Sequence, residues 1–172
     1  MREESGRRDR FEHMFHAHYG RVLAYALRRA QPHMAQDVVA ETFTVAWRRL
    51  DEVPESELPW LYGVARRVLA NELRSDRRRG ALVERAAAER PREVAGPSSD
   101  APLVPALARL GPRDRELLLL TAWEGLSPAE AATAIGCTRA AVRVRLHRAR
   151  KRLAAELEHE PLRELTTTLE ER

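Results

Sequence analysis

Apolar residues along the chain recur at helical spacing, and proline or glycine breaks the runs. Phe11, Met14, Phe15, Val22 and Ala26 share one face of a helix predicted from Phe11 to about Arg29. Gln31-Pro32 interrupts it, because proline disfavours helical backbone at the residue before it. A second helix is predicted from Met34 to Leu50, with Val39, Phe43, Ala46, Trp47 and Leu50 on one face. Asp37 and Glu41, four residues apart, share another face. A loop from Asp51 to Ser56, containing Pro54, follows, and Ser56 is the expected N-cap of a third helix reaching about Asp76. Trp60, Leu61, Val64, Ala65, Val68 and Leu73 are its apolar positions. Its end is basic: Arg66, Arg67 and Arg74, then Arg77, Arg78 and Arg79 before Gly80. Three amphipathic helices can bury one core, so residues 8–79 form a first module.

The periodicity stops over residues 80–101, where AGPSSDAP gathers proline, glycine, serine and aspartate. Ala86 to Arg92 can be locally helical but has little to bury, and the whole segment reads as a flexible linker.

A second module is expected over 102–159. It opens with a short helix from Val104 to Leu110, ended by Gly111. Pro112 then starts a helix with an apolar surface of Leu117, Leu118, Leu120, Thr121 and Trp123, ended at Gly125. Ser127-Pro128-Ala129-Glu130 is a capping box. The helix it opens runs to Ile135, with Ala131, Ala132 and Ile135 facing inward, and Gly136 closes it in a left-handed turn. Thr138 caps the next helix, whose buried stripe is Val142, Leu146, Ala149 and Leu153. Arg139, Arg143 and His147 point the other way, with Ala140 beside them. A capped short helix, a glycine turn and a basic amphipathic helix together make a helix-turn-helix. An acidic tail is expected over 160–172.

Composition narrows the class. Alanine, leucine, arginine and glutamate dominate the 172 residues, and aromatic residues make up 5%, which favours an all-α fold of two small helical domains. The formal net charge of +4 is modest, but its distribution is not. Residues 139–152 carry seven basic and no acidic residues, whereas glutamates dominate after Leu153. Such a block fits a polyanion partner, or a solvated basic face of a bundle. The turn, the caps and the one-sided arginines favour DNA. Arginine in the first half of such a helix reads guanine edges, and arginines further along meet phosphates.

The single cysteine, Cys137, excludes an intramolecular disulfide and a multi-thiolate zinc site, and is expected to be a small packed residue. His13 and His16 share a helix face near His18, but no cysteine or well-spaced carboxylate completes a metal site. MREESGRRDR is no signal peptide, and no apolar run approaches the roughly 20 residues of a membrane helix, so a cytoplasmic protein without membrane insertion is expected. No nucleotide-binding glycine loop, serine elbow or metalloprotease motif is present. Neither an enzyme nor a cofactor is expected.

Five segments resemble, in order, the extracytoplasmic-function sigma factors of the sigma-70 family. FEHMFHAHYGRVLAYALRR fits region 2.1, AQDVVAETFTVAWRRL resembles region 2.2, and PWLYGVARRVLANELRSDRRR resembles regions 2.3 and 2.4. LGPRDRELLLLTAWEGLSPAEAATAIGCT and AVRVRLHRARKRL resemble region 4 and its recognition helix. The resemblance implies that region 2.2 docks on the β′ clamp helices of core RNA polymerase through Gln36, Asp37, Glu41, Thr44 and Trp47. It implies minus-ten recognition and melting by Trp60, Tyr62, Arg66, Arg67, Asn71, Arg74, Arg77 and Arg78, with the Asp51–Leu58 loop holding an extruded base. Trp60 fits a core position as well as a base-stacking one, and Asp37 and Glu41 fit an ordinary helix surface. The resemblance further implies minus-thirty-five recognition by Arg139, Ala140, Arg143, Val144 and His147, and backbone contact by Arg145, Arg148, Arg150 and Lys151. The family pattern often has Asn where Arg67 stands and Asp where Asn71 stands, so the preferred minus-ten sequence stays open. The implied partners are core RNA polymerase (β′ clamp helices and β flap), promoter DNA and an anti-sigma factor. Two other readings remain: a stand-alone helix-turn-helix regulator, and an adaptor that mimics a sigma factor without touching DNA.

Overall fold

The computed structural model describes residues 2–83 and 103–170, and every element in them is helical. The chain divides into two compact units, at Ala95/Gly96.

In the first unit, α1 spans Arg2–Leu27, α2 Pro32–Arg48 and α3 Glu57–Val83, with one 3-10 turn at Leu50–Glu52 between α2 and α3. The core is built from all three helices. Met14, Val22, Tyr25 and Ala26 come from α1, Val38, Val39, Phe43 and Ala46 from α2, and Leu61, Tyr62, Val64, Ala65 and Leu69 from α3. Thr42 is also fully buried, and its hydroxyl donates to the Val38 carbonyl one turn back at 2.6 Å. That bond removes the cost of burying the group.

Several boundaries differ from those predicted. α1 starts at Arg2 rather than Phe11. Its first turns carry helix-forming charged residues without an apolar face, so periodicity does not register them. Pro32 does more than interrupt: it is the first residue of α2, where its missing N–H costs nothing. α3 continues past Asp76 to Val83, so the predicted linker over 80–101 begins inside a helix. The rest of that segment, including Ala86–Arg92, lies outside the described residues.

The second unit holds α4 (Leu103–Arg109), α5 (Pro112–Ala122), α6 (Pro128–Ile135) and α7 (Arg139–Glu170). Leu107, Leu110, Leu117, Leu118, Leu120 and Leu126 are buried against Ala131, Ala132 and Ala134 of α6 and Val142, Leu146 and Ala149 of α7. Each such leucine is worth about 1.5–3 kcal/mol relative to exposure, more than any one cap contributes, so α5 anchors the unit. Ile135 and Leu153 are only partly covered. α7 passes through the expected boundary at 159/160 and keeps helical backbone to Glu170. Among the described residues no helix is long and apolar enough to cross a membrane.

Candidate nucleic-acid and protein interfaces

The helix-turn-helix forms as its local chemistry dictates. The Glu130 amide donates to Ser127 Oγ at 3.2 Å and the Ser127 amide donates to Glu130 Oε2 at 2.8 Å, closing the capping box. Gly136 lies in the left-handed region at φ 77°, and the amides of Gly136 and Cys137 both donate to the Ala132 carbonyl. Thr138 Oγ1 accepts from the Ala141 amide at 3.2 Å and so caps α7.

These caps fix the rotation of α7. Val142, Leu146 and Ala149 go into the core, which leaves Arg139, Ala140, Arg143, Val144, His147, Arg148, Arg150 and Lys151 exposed. Arg145 is half-buried. Val144 is 53% exposed amid these cations, an apolar contact of the kind that meets a thymine methyl group. A shallow groove runs between the start of α5 and α7, lined by Arg113, Asp114, Ala140, Val144, Arg145 and Arg148. Arg152 at its edge donates to the Asp114 carboxylate, which is nearly buried. The sequence pattern does not single out Arg113 or this ion pair, since Asp114 sits far from the basic block along the chain. Cys137, one residue past the left-handed turn at Gly136, is exposed rather than packed.

On the first unit, Gln36, Asp37 and Glu41 are exposed along α2. Thr44 is half-buried and donates to the Ala40 carbonyl at 2.8 Å. Trp47, expected among the apolar positions of its helix, is 41% exposed. Phe11 meets its ring edge-on at 5.2 Å, and the Arg7 guanidinium lies 5.5 Å from it. A groove between α2 and α3 is lined by Asp37, Glu41, Thr44, Arg67, Asn71 and Glu72. Three of the expected polymerase residues and two of the expected DNA residues therefore share one groove, although the chain order keeps them apart.

The remaining minus-ten candidates divide. Trp60 and Arg66 are half-buried, Arg74 is exposed and donates to Asn71 Oδ1, and Arg78 is exposed. The side chains of Arg77 and Arg79 lie outside the described residues. Tyr62 requires a correction: it is 1% exposed and stacked on Tyr25, so it belongs to the core and offers no platform to a base. Its neighbours Leu61, Val64 and Ala65 are buried with it, because α3 is covered on both sides at this point.

The segment between α2 and α3 is held at several points. Arg49 and Glu52 form an ion pair, and the hydrogen bond from Arg49 holds the Glu52 carboxyl below its usual range. His18 Nε2 lies 3.1 Å from Glu57 Oε2 at the start of α3. His13 and His16 are exposed, and the described residues contain no group of three or more potential metal ligands.

Residues 14–79 match the family model of sigma-70 region 2, and residues 102–153 match that of sigma-70, region 4. The chain is 34% identical over 159 residues to the RNA polymerase sigma factor NccH of Alcaligenes xylosoxydans xylosoxydans, covering 81% of this chain and 83% of that protein. It is 30% identical over 154 residues to the ECF RNA polymerase sigma factor SigL of Mycobacterium tuberculosis, covering 84% and 87%. In structure it is similar to the sigma factor RpoE of Bartonella quintana, solved in complex with the anti-sigma factor NepR. That TM-score is 0.59 at 26% identity, over 86% of this chain and 96% of the other.

Proposed function

This chain belongs to the sigma-70 family, in its extracytoplasmic-function branch, and from that premise we propose how its two units divide the work. It is an RNA polymerase sigma factor: it binds core polymerase and directs promoter-specific initiation. Its role is recognition, with no catalytic residue of its own, and its place is the cytoplasm, where polymerase and promoter are.

The second unit reads the minus-thirty-five element. The observation that carries this is the rotation of α7, whose caps and buried stripe leave Arg139, Arg143 and His147 turned to solvent. Laid in a major groove, Arg139, Ala140, Arg143, Val144 and His147 meet base edges, while Arg145, Arg148, Arg150 and Lys151 meet phosphates. The β flap of polymerase engages this unit.

The first unit binds the β′ clamp helices through Gln36, Asp37, Glu41, Thr44 and Trp47, and the minus-ten element through Trp60, Arg66, Arg67, Asn71, Arg74, Arg77 and Arg78. Exposed acids in a chain of net charge +4 suit a basic protein partner. The Asp51–Leu58 segment receives an extruded base. Modules over 8–79 and 102–159, joined by a tether, engage two promoter elements at once, and tethering raises the effective concentration of the second contact. An anti-sigma protein is a further partner, as for the similar RpoE structure.

Run-off transcription on genomic DNA, with core polymerase and with or without the chain, tests the reading. New promoter-specific transcripts are expected only with the chain. Tight, specific gel shifts by the chain without polymerase, and no new transcript with it, would replace the reading with that of a stand-alone regulator.

A further inference from the structure

The first turns of α1 have no apolar stripe, yet they extend one. Arg7, Arg10 and Met14 fall at helical spacing on the same face, and Met14 is fully buried in the core. Where the stripe leaves the core, arginines replace apolar residues and meet the segment that joins α2 to α3. Arg7 Nη2 donates to the Trp47 carbonyl at 3.0 Å, and Arg7 Nη1 pairs with the Asp51 carboxylate. Trp47 lies in the last turn of α2, where carbonyls lack helical partners and a cation is favoured. Arg10 Nη2 donates to the Val53 carbonyl at 2.7 Å in a half-buried setting. Two guanidinium groups thus fasten the end of α2, the 3-10 turn and the residue after it.

The fastened segment is anchored at its ends and open between them. Leu50, Val53 and Leu58 are buried, whereas Pro54, Glu55 and Ser56 are exposed. We propose that Arg7 and Arg10 are positioning residues that hold this segment in the shape that receives an extruded promoter base. The proposal rests on the reading that the Asp51–Leu58 segment captures such a base. Both arginines precede residue 14, where the match to region 2 begins, and the family comparison gives them no role. A planar guanidinium holds a carbonyl and a carboxylate on two nitrogens of a fixed fork, whereas lysine offers one nitrogen whose donors rotate.

The test uses holoenzyme, assembled from core polymerase and the full chain. The probe is a single-stranded non-template oligonucleotide carrying the minus-ten element of a promoter mapped by run-off transcription. Its bases are substituted one at a time, and affinity is read by fluorescence anisotropy. Wild type is expected to lose about tenfold or more at one captured base. The double variant R7A/R10A is expected to discriminate little at that base, while its affinity for core polymerase stays within about twofold. R7K/R10K is expected to recover only part of the discrimination, and circular dichroism verifies that each variant is folded. Full discrimination by a folded R7A/R10A overturns the proposal, as does an equal loss of affinity for core polymerase. If wild type discriminates at no base, the capture reading itself fails and the proposal falls with it.

Discussion

The rings of Tyr25 in α1 and Tyr62 in α3 stack with centroids 5.0 Å apart and planes inclined by 30°, both fully enclosed. This contact ties the first helix of the bundle to the third at the level of the core. It also places the Tyr62 ring inside the core. Aromatic pairs of this kind add about 0.5–1.5 kcal/mol beyond the area they bury.

Tyr62→Ala is expected to destabilise the first unit by about 3–5 kcal/mol, as large aromatic truncations in cores do. Tyr62→Phe keeps the ring and is expected to leave binding of a single-stranded minus-ten oligonucleotide by the holoenzyme unchanged. Urea unfolding and anisotropy titrations check the two halves. A large loss of oligonucleotide affinity in a stable Tyr62→Phe protein would return the residue to the DNA surface.

Gly136 has open space where a Cβ would stand, so only its backbone resists substitution. Gly136→Ala is expected to cost about 1–2 kcal/mol from the left-handed conformation alone. Ser127→Ala, which removes half of the capping box, is expected to cost about 1 kcal/mol. Thermal unfolding of each variant measures these. A neutral Gly136→Ala would mean that the turn relaxes out of the left-handed region.

The base and phosphate contacts proposed for α7 are expected to separate by their response to salt and sequence. Arg143→Ala is expected to relax discrimination at one or two minus-thirty-five positions, by about 1–3 kcal/mol. Arg150→Ala is expected to weaken binding evenly across sequences and to lower the salt slope by about one. Holoenzyme binding to a set of singly substituted promoters, at several salt concentrations, distinguishes the two. The reverse pattern would exchange the assignments.

The acids of α2 are expected to serve the polymerase and not the DNA. Glu41→Lys and Asp37→Lys should slow association with core polymerase and reverse part of its salt dependence, as charge changes at an interface do. Stopped-flow fluorescence with labelled core polymerase measures the rate. Because Arg67 and Asn71 line the same groove, Arg67→Glu is expected to disturb both polymerase binding and minus-ten binding. A defect confined to DNA would show that the two partners use separate parts of the groove.

The helix-turn-helix is legible in the sequence because each of its devices is local. A serine and a glutamate three residues apart, a glycine after a short apolar run, a threonine and a helical stripe of apolar side chains act within a few turns of backbone. The caps and the turn form as expected, and the stripe buries Val142, Leu146 and Ala149 while Leu153 is only partly covered. The order of the helices is legible for the same reason. The fate of the aromatic residues is not, since coverage depends on which other helix arrives over each position. Tyr62 and Trp60 lie two residues apart, yet one is enclosed and the other half-open. Trp47 keeps its helical spacing and still faces outward. Nor does periodicity register Arg7 and Arg10, whose partners lie some forty residues away along the chain. Residues alone can specify a helix and its ends, because those interactions are short in sequence. What a side chain touches across the bundle depends on packing among distant segments, and that is established only when they fold together.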